Sequence, residues 1–72
     1  MYDEAKARMV AIARLNGGIV TAADVEADPD LAADHEITSA AAHALAGSTN
    51  VFASSSDTGW FPYAELHFTE LR

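Results

Sequence analysis

The chain has no cysteine. A disulfide framework, a thiolate metal site and a cysteine nucleophile are therefore excluded. Basic residues are almost as scarce. Lys6, Arg8 and Arg14 lie in the first fourteen residues, and from Leu15 to Leu71 there is no lysine or arginine against nine acids. Phosphate and anionic lipid find no counter-charge along that stretch, whereas a basic or neutral partner does not meet repulsion. No apolar run approaches the roughly 20 residues that a membrane-spanning helix needs, so no membrane is expected. The residues ahead of Lys6 include Asp3 and Glu4 and do not have the profile of a secretory leader. A small domain without disulfides points to the cytoplasm.

What is present is enough for one small fold. The 72 residues are half hydrophobic and carry a net charge of −7. Such a length supports a single domain over residues 1–72, free-standing or the N-terminal module of a longer protein. It buries only about 60% of the surface its unfolded form exposes. Much of the apolar content is alanine. A few large side chains must therefore carry the core, among them Met9, Ile12, Leu15, Leu31, Leu45, Phe52, Trp60, Leu66 and Phe68.

Residues 2–15 read as a helix. Tyr2, Ala5, Met9 and Ile12 recur at helical steps, and Glu4 and Arg8 are spaced as a favourable i,i+4 pair. Asn16-Gly17-Gly18 supplies the left-handed residues of a helix stop. Ile19-Val20 is a short β-prone pair. Thr21 then suits an N-cap, with Asp24 three residues on as a weak capping box and Val20 and Val25 as a hydrophobic staple. Pro29 ends that helix at Asp28, and Asp28 can cap a further turn with Pro29 at its first position. A third full helix is expected from about Glu36 or Ile37 to Ala46. Its inner face would be Ile37, Ala41, Ala44 and Leu45, and its outer face His35, Ser39, Ala42, His43 and Ala46, with Gly47 at the stop.

The period then changes to that of strands. Val51–Ser54 reads as one strand, Ser55–Gly59 as a turn and Trp60–Phe68 as a second, aromatic-rich strand. Pro62 has no ladder N–H and belongs at an edge or bulge. The expected fold class is α+β: a three-helix core with an extra short helical turn, followed by a C-terminal antiparallel β-hairpin.

This order of elements resembles a winged helix-turn-helix domain. The residues that carry the resemblance are Gly18-Ile19-Val20-Thr21-Ala22-Ala23-Asp24-Val25, similar to the strand and cap that lead into that fold's second helix. Ile37–Leu45 would match the recognition helix and Val51–Leu66 the wing. The resemblance implies DNA binding, with a helix in the major groove and the wing on the backbone. Residues facing the bases would be His35, Thr38, Ser39, Ala42 and His43; the first helix could add Lys6, Arg8 and Arg14, although in that fold it usually lies behind the reading face. None of the base-facing residues is the arginine or lysine that makes the commonest base contact. The wing tip holds Asp57 and no cation.

Sites of chemistry are thin. Asp24, Glu26, Asp28 and Asp30 alternate like a calcium loop, but the sixth and twelfth positions from Asp24 are Pro29 and His35 where glycine and glutamate belong. His35, His43 and His67 include no i,i+4 pair, so no metal site is expected. Ser54–Ser56, Asp57 and His67 lack a nucleophile elbow, and Gly17-Gly18 lacks the rest of a phosphate loop. The chain is read as no enzyme and as needing no cofactor. The expectation is a protein-interaction or regulatory domain that meets a neutral or basic protein through Trp60, Phe61, Tyr63, Ser39 and His43. Trp60 and Phe68 would lean on the core, with Phe61 and Tyr63 partly exposed. An exposed edge in the aromatic strand would allow a homodimer. The alternative is a DNA-binding domain of a transcriptional regulator using Thr38, Ser39, His43 and Arg14.

Overall fold

Three side-chain caps set the helical half of the molecule. In the computed structural model, which describes residues 2–56 and 59–71, the first helix α1 is Asp3–Leu15. Gly17 (φ 71°) stops it, with the Gly18 N–H bonded to the Ala13 carbonyl at 2.7 Å, the six-to-one bond of a Schellman cap. Strand β1, Ile19–Thr21, follows. Thr21 caps α2, Ala22–Ala27, in a complete capping box: its hydroxyl accepts from the Asp24 N–H, and the Asp24 carboxylate accepts from the Thr21 N–H. Val20 and Val25, the staple pair, are both fully buried.

Asp28 caps α3, Pro29–Ala32, by accepting from the N–H groups of Asp30 and Leu31. Asp34 caps α4, His35–Ala46, through the Ile37 N–H. Gly47 closes α4 in a right-handed conformation (φ −76°) and donates to the His43 carbonyl.

Strand β2 is Val51–Ser55 and β3 is Tyr63–Phe68, followed by a 3-10 turn at Thr69–Leu71. The hairpin is antiparallel, and β1 joins it to make a three-stranded sheet in the order β1-β3-β2. The register pairs Val20 with Leu66 on one side and Ala53 with Leu66 on the other. The aromatic strand is therefore central and not an edge. The register shift between Ser54 and Ser55 leaves Ala64 as the extra residue on β3.

The core forms where the helices meet the inner face of the sheet. Met9 and Ala13 from α1, Leu31 from α3, Ala41 and Ala42 from α4, and Leu66 and Phe68 from β3 belong to it. Leu15 and Phe52 do not: they are 86% and 63% exposed. The α+β class and the helices-then-hairpin order hold. Among the described residues, no helix is long and apolar enough to cross a membrane.

Several expectations need correction. Ala42, assigned to the outer face of the third helix, is fully buried, as is Thr38. The buried stripe of α4 is Thr38, Ala41 and Ala42, because the Thr38 hydroxyl hides its polarity by donating to the Leu31 carbonyl at 2.6 Å. Phe61, expected to be partly exposed, is 1% exposed. It lies in the bend ahead of β3, which starts at Tyr63 and not at Trp60. Arg8 does not pair with Glu4; its guanidinium reaches Asp28 instead.

Candidate functional site

The outer face of α4 meets the segment that enters β3. His35, Ser39 and His43 step four residues at a time along α4, about 6 Å per step. The segment Trp60–Tyr63 runs against them. The His35 ring lies flat on the Trp60 indole, with centroids 3.9 Å apart and planes within 5° of parallel. Two turns on, the His43 Nδ1 is 2.9 Å from the Tyr63 hydroxyl, and the two rings meet edge to face.

Phe61 ties these pairs together from beneath. Its ring is edge-on to Trp60 at 6.1 Å and to Tyr63 at 6.2 Å. Edge-to-face pairs at such distances are favourable beyond the area they bury. The buried Phe61 thus anchors two aromatic side chains that remain partly exposed, and each of these carries an exposed imidazole on top. The result is a surface of rings around Ser39, which is itself half-buried.

Of the candidate contact residues, Trp60, Tyr63 and His43 are linked by ring contacts, with the buried Phe61 as their support. Thr38 is withdrawn from the surface altogether. His35 was read as an outer-face residue of the third helix that would face DNA bases; its stacking on Trp60 was not foreseen, because no local pattern marks a partner so distant in the chain.

The cations lie elsewhere. Lys6 is 3.8 Å from Asp3. Arg8 Nε donates to Asp28 Oδ2 at 2.7 Å, on the rim of a cavity of about 530 Å³ between α1, α3 and the first turn of α4. That cavity is also lined by Glu4, Asp30 and Asp34, so its charge is acidic in spite of Arg8. Arg14 lines a different groove, near the C-terminal end of α4, with Val10, Leu45 and Phe68. Neither the cavity beside Arg8 nor the groove beside Arg14 is lined by Ser39 or His43.

Asp28 is the electrostatic joint of the helical half. Burial works to raise its carboxyl pKa. The Arg8 guanidinium and the N–H groups of Leu31 and Asp30 outweigh that and hold it below the ordinary carboxylate value. Arg8 is raised in turn, mainly through its hydrogen bond to Asp28.

Among the described residues, no group of three or more His, Cys, Asp or Glu is gathered to hold a metal ion. His35 and His43 each face their own aromatic ring and do not converge. His67 Nε2 is 2.7 Å from Glu65 Oε1 on the outer sheet face. Compared with known protein families, with curated proteins and with solved structures, the chain matches none.

Proposed function

We propose that the chain is a non-catalytic protein-interaction or regulatory domain of winged-helix-like architecture. Its contact surface is the corner where His35, Ser39 and His43 of α4 meet Trp60 and Tyr63. The observation that carries this reading is the partition of charge and rings. Among the described residues the corner is aromatic and free of lysine and arginine, while Lys6 and Arg8 are engaged by Asp3 and Asp28. Aromatic side chains held in place by a buried neighbour are favoured material for protein contacts, since little side-chain freedom is lost on binding. The acids that dominate the rest of the surface favour a partner that is neutral or basic. The reading needs no cofactor, and a cytoplasmic setting suits a chain without cysteine.

The sheet order β1-β3-β2, with β1 between the first two helices and the hairpin after the last, supports the winged-helix comparison, and with it a second reading as a DNA-binding domain. Of the four residues that reading would use, His43 is exposed, Ser39 is half-buried, Thr38 is buried and Arg14 is in a separate groove. Positioning on a duplex relies on cations near the phosphates, and this corner has none.

The test is capture from native lysate with the wild-type chain and a Ser39→Arg variant, which sets a bulky cation in the middle of the corner. Proteins held by the wild type should be lost with the variant while its helical circular dichroism stays unchanged. An identical set held by both chains would rule the corner out as the contact surface.

A further inference from the structure

Strand β2 is the longer of the sheet's two edges, no other strand pairs with its outer side among the described residues, and its backbone is complementary to itself. The Thr69 N–H donates to the Asn50 carbonyl at 3.0 Å, and the Phe68 N–H donates to the Gly18 carbonyl at 2.7 Å. These two bonds fix the alternation of the antiparallel ladder. Phe52 and Ser54 turn their N–H and C=O groups inward to β3. Val51, Ala53 and Ser55 turn theirs to the open side. The Val51 N–H is used by the Ser48 carbonyl at 3.3 Å, so the N–H of Ala53, at the middle of the strand, is the central donor of the open edge.

Open edges invite pairing, and folded proteins usually blunt them with lysine, proline, inward charges or very short strands. The opposite edge, β1, is only three residues long. β2 has five residues, Val-Phe-Ala-Ser-Ser, with neither charge nor proline. Every residue from Phe52 to Ser55 is exposed, and Phe52 is 63% exposed. Its side chain stands on the outer face beside His67, its partner in the register.

We infer that β2 pairs antiparallel with β2 of a second copy of this chain, about a two-fold axis at Ala53. In that register Ala53 faces the other copy's Ala53, and the two exchange both N–H···O=C bonds. Val51 faces Ser55, and Phe52 faces Ser54. The two Phe52 rings then sit as diagonal neighbours on one face, within reach of each other. The occupant is a second copy because the same groups serve both sides, as a two-fold interface requires. No two like charges are brought opposite one another, even though each chain carries −7. The long-range repulsion between the copies is screened by salt. Pairing therefore tightens as salt rises, whereas binding of a basic peptide strand to the same edge weakens. This inference goes beyond the proposed function and does not depend on the α4 corner.

Sedimentation equilibrium from micromolar to millimolar chain, at low and high salt, reads the result. The mean mass should climb from 7.6 kDa toward twice that, and further at high salt. Ala53→Pro removes the outward N–H and leaves the β2–β3 ladder whole, so it should stay monomeric. Ala53→Lys and Ala53→Glu keep the backbone intact and set like charges opposite each other. Each alone should be monomeric, and an equimolar mixture of the two should dimerise. A wild-type chain that is monomeric throughout would overturn the inference. So would dimers that persist in Ala53→Lys and Ala53→Glu alike, or a mixture that stays monomeric while the wild type dimerises.

Discussion

The imidazole of His35 covers the indole of Trp60 face to face, at 3.9 Å between centroids. Trp60 is the only tryptophan in the chain, so its emission reports on this corner alone. His35→Ala should uncover the indole and shift its emission to longer wavelength. Stability should fall by about 0.5–1 kcal/mol, the usual scale of a ring pair. His43→Ala should leave the emission maximum where it is, because that ring rests on Tyr63. An unshifted spectrum in His35→Ala would mean the two rings are not stacked in solution.

Asp28 links acid stability to the helical caps. Its folded carboxyl is held below the ordinary value, so the unfolded chain takes up its proton first as pH falls. The stability it contributes is complete above the unfolded carboxylate range, about pH 3.9, and is lost as pH falls through the lower folded value. Asp28→Asn keeps an oxygen for the Asp30 and Leu31 N–H groups but loses the ion pair with Arg8. It should be less stable than wild type at neutral pH, with the difference closing below about pH 4. Asp28→Ala also loses the cap, and should cost about 1 kcal/mol more than Asp28→Asn at every pH. Urea unfolding at neutral and acid pH separates the two effects.

Gly59 lies where β3 is approached, with φ 75°. A Cβ added there would meet the Glu26 carboxylate. One oxygen of that carboxylate, Oε2, is buried with no hydrogen-bond partner among the described residues. Gly59→Ala should destabilise by roughly 1–2 kcal/mol through the left-handed backbone, since the free end of the Glu26 side chain can move aside. Glu26→Ala should therefore leave that cost nearly unchanged, and the two effects should add. A double variant that recovers most of the loss in thermal unfolding would show that the carboxylate is held fast against residue 59.

The helical half was legible in the sequence because its signals are local. The Thr21 capping box, the Val20–Val25 staple and the Asp28-Pro29 start each lie within a few residues, and each appears where its pattern indicated. What was not legible depended on distant partners. Ile19 and Val20 look like an isolated pair until His67 and Leu66 come alongside to make them an edge strand. Thr38 reads as a surface residue until the Leu31 carbonyl accepts its hydroxyl. Once Thr38 turns inward, α4 rotates its buried stripe and carries Ala42 with it. Phe61 was read as part of a regular strand. The bend before Tyr63 breaks that alternation and sends its ring into the core while Trp60 stays at the surface.

If the exposed corner of α4 meets protein, as proposed, it does not hold a phosphate backbone. Titration of mixed-sequence duplex DNA at low salt, followed by the anisotropy of labelled duplex, tests it most directly. No saturable binding is expected at micromolar chain, at low or high salt. Micromolar binding that weakens steeply with added salt, and is lost in Arg14→Ala or Ser39→Ala, would contradict it.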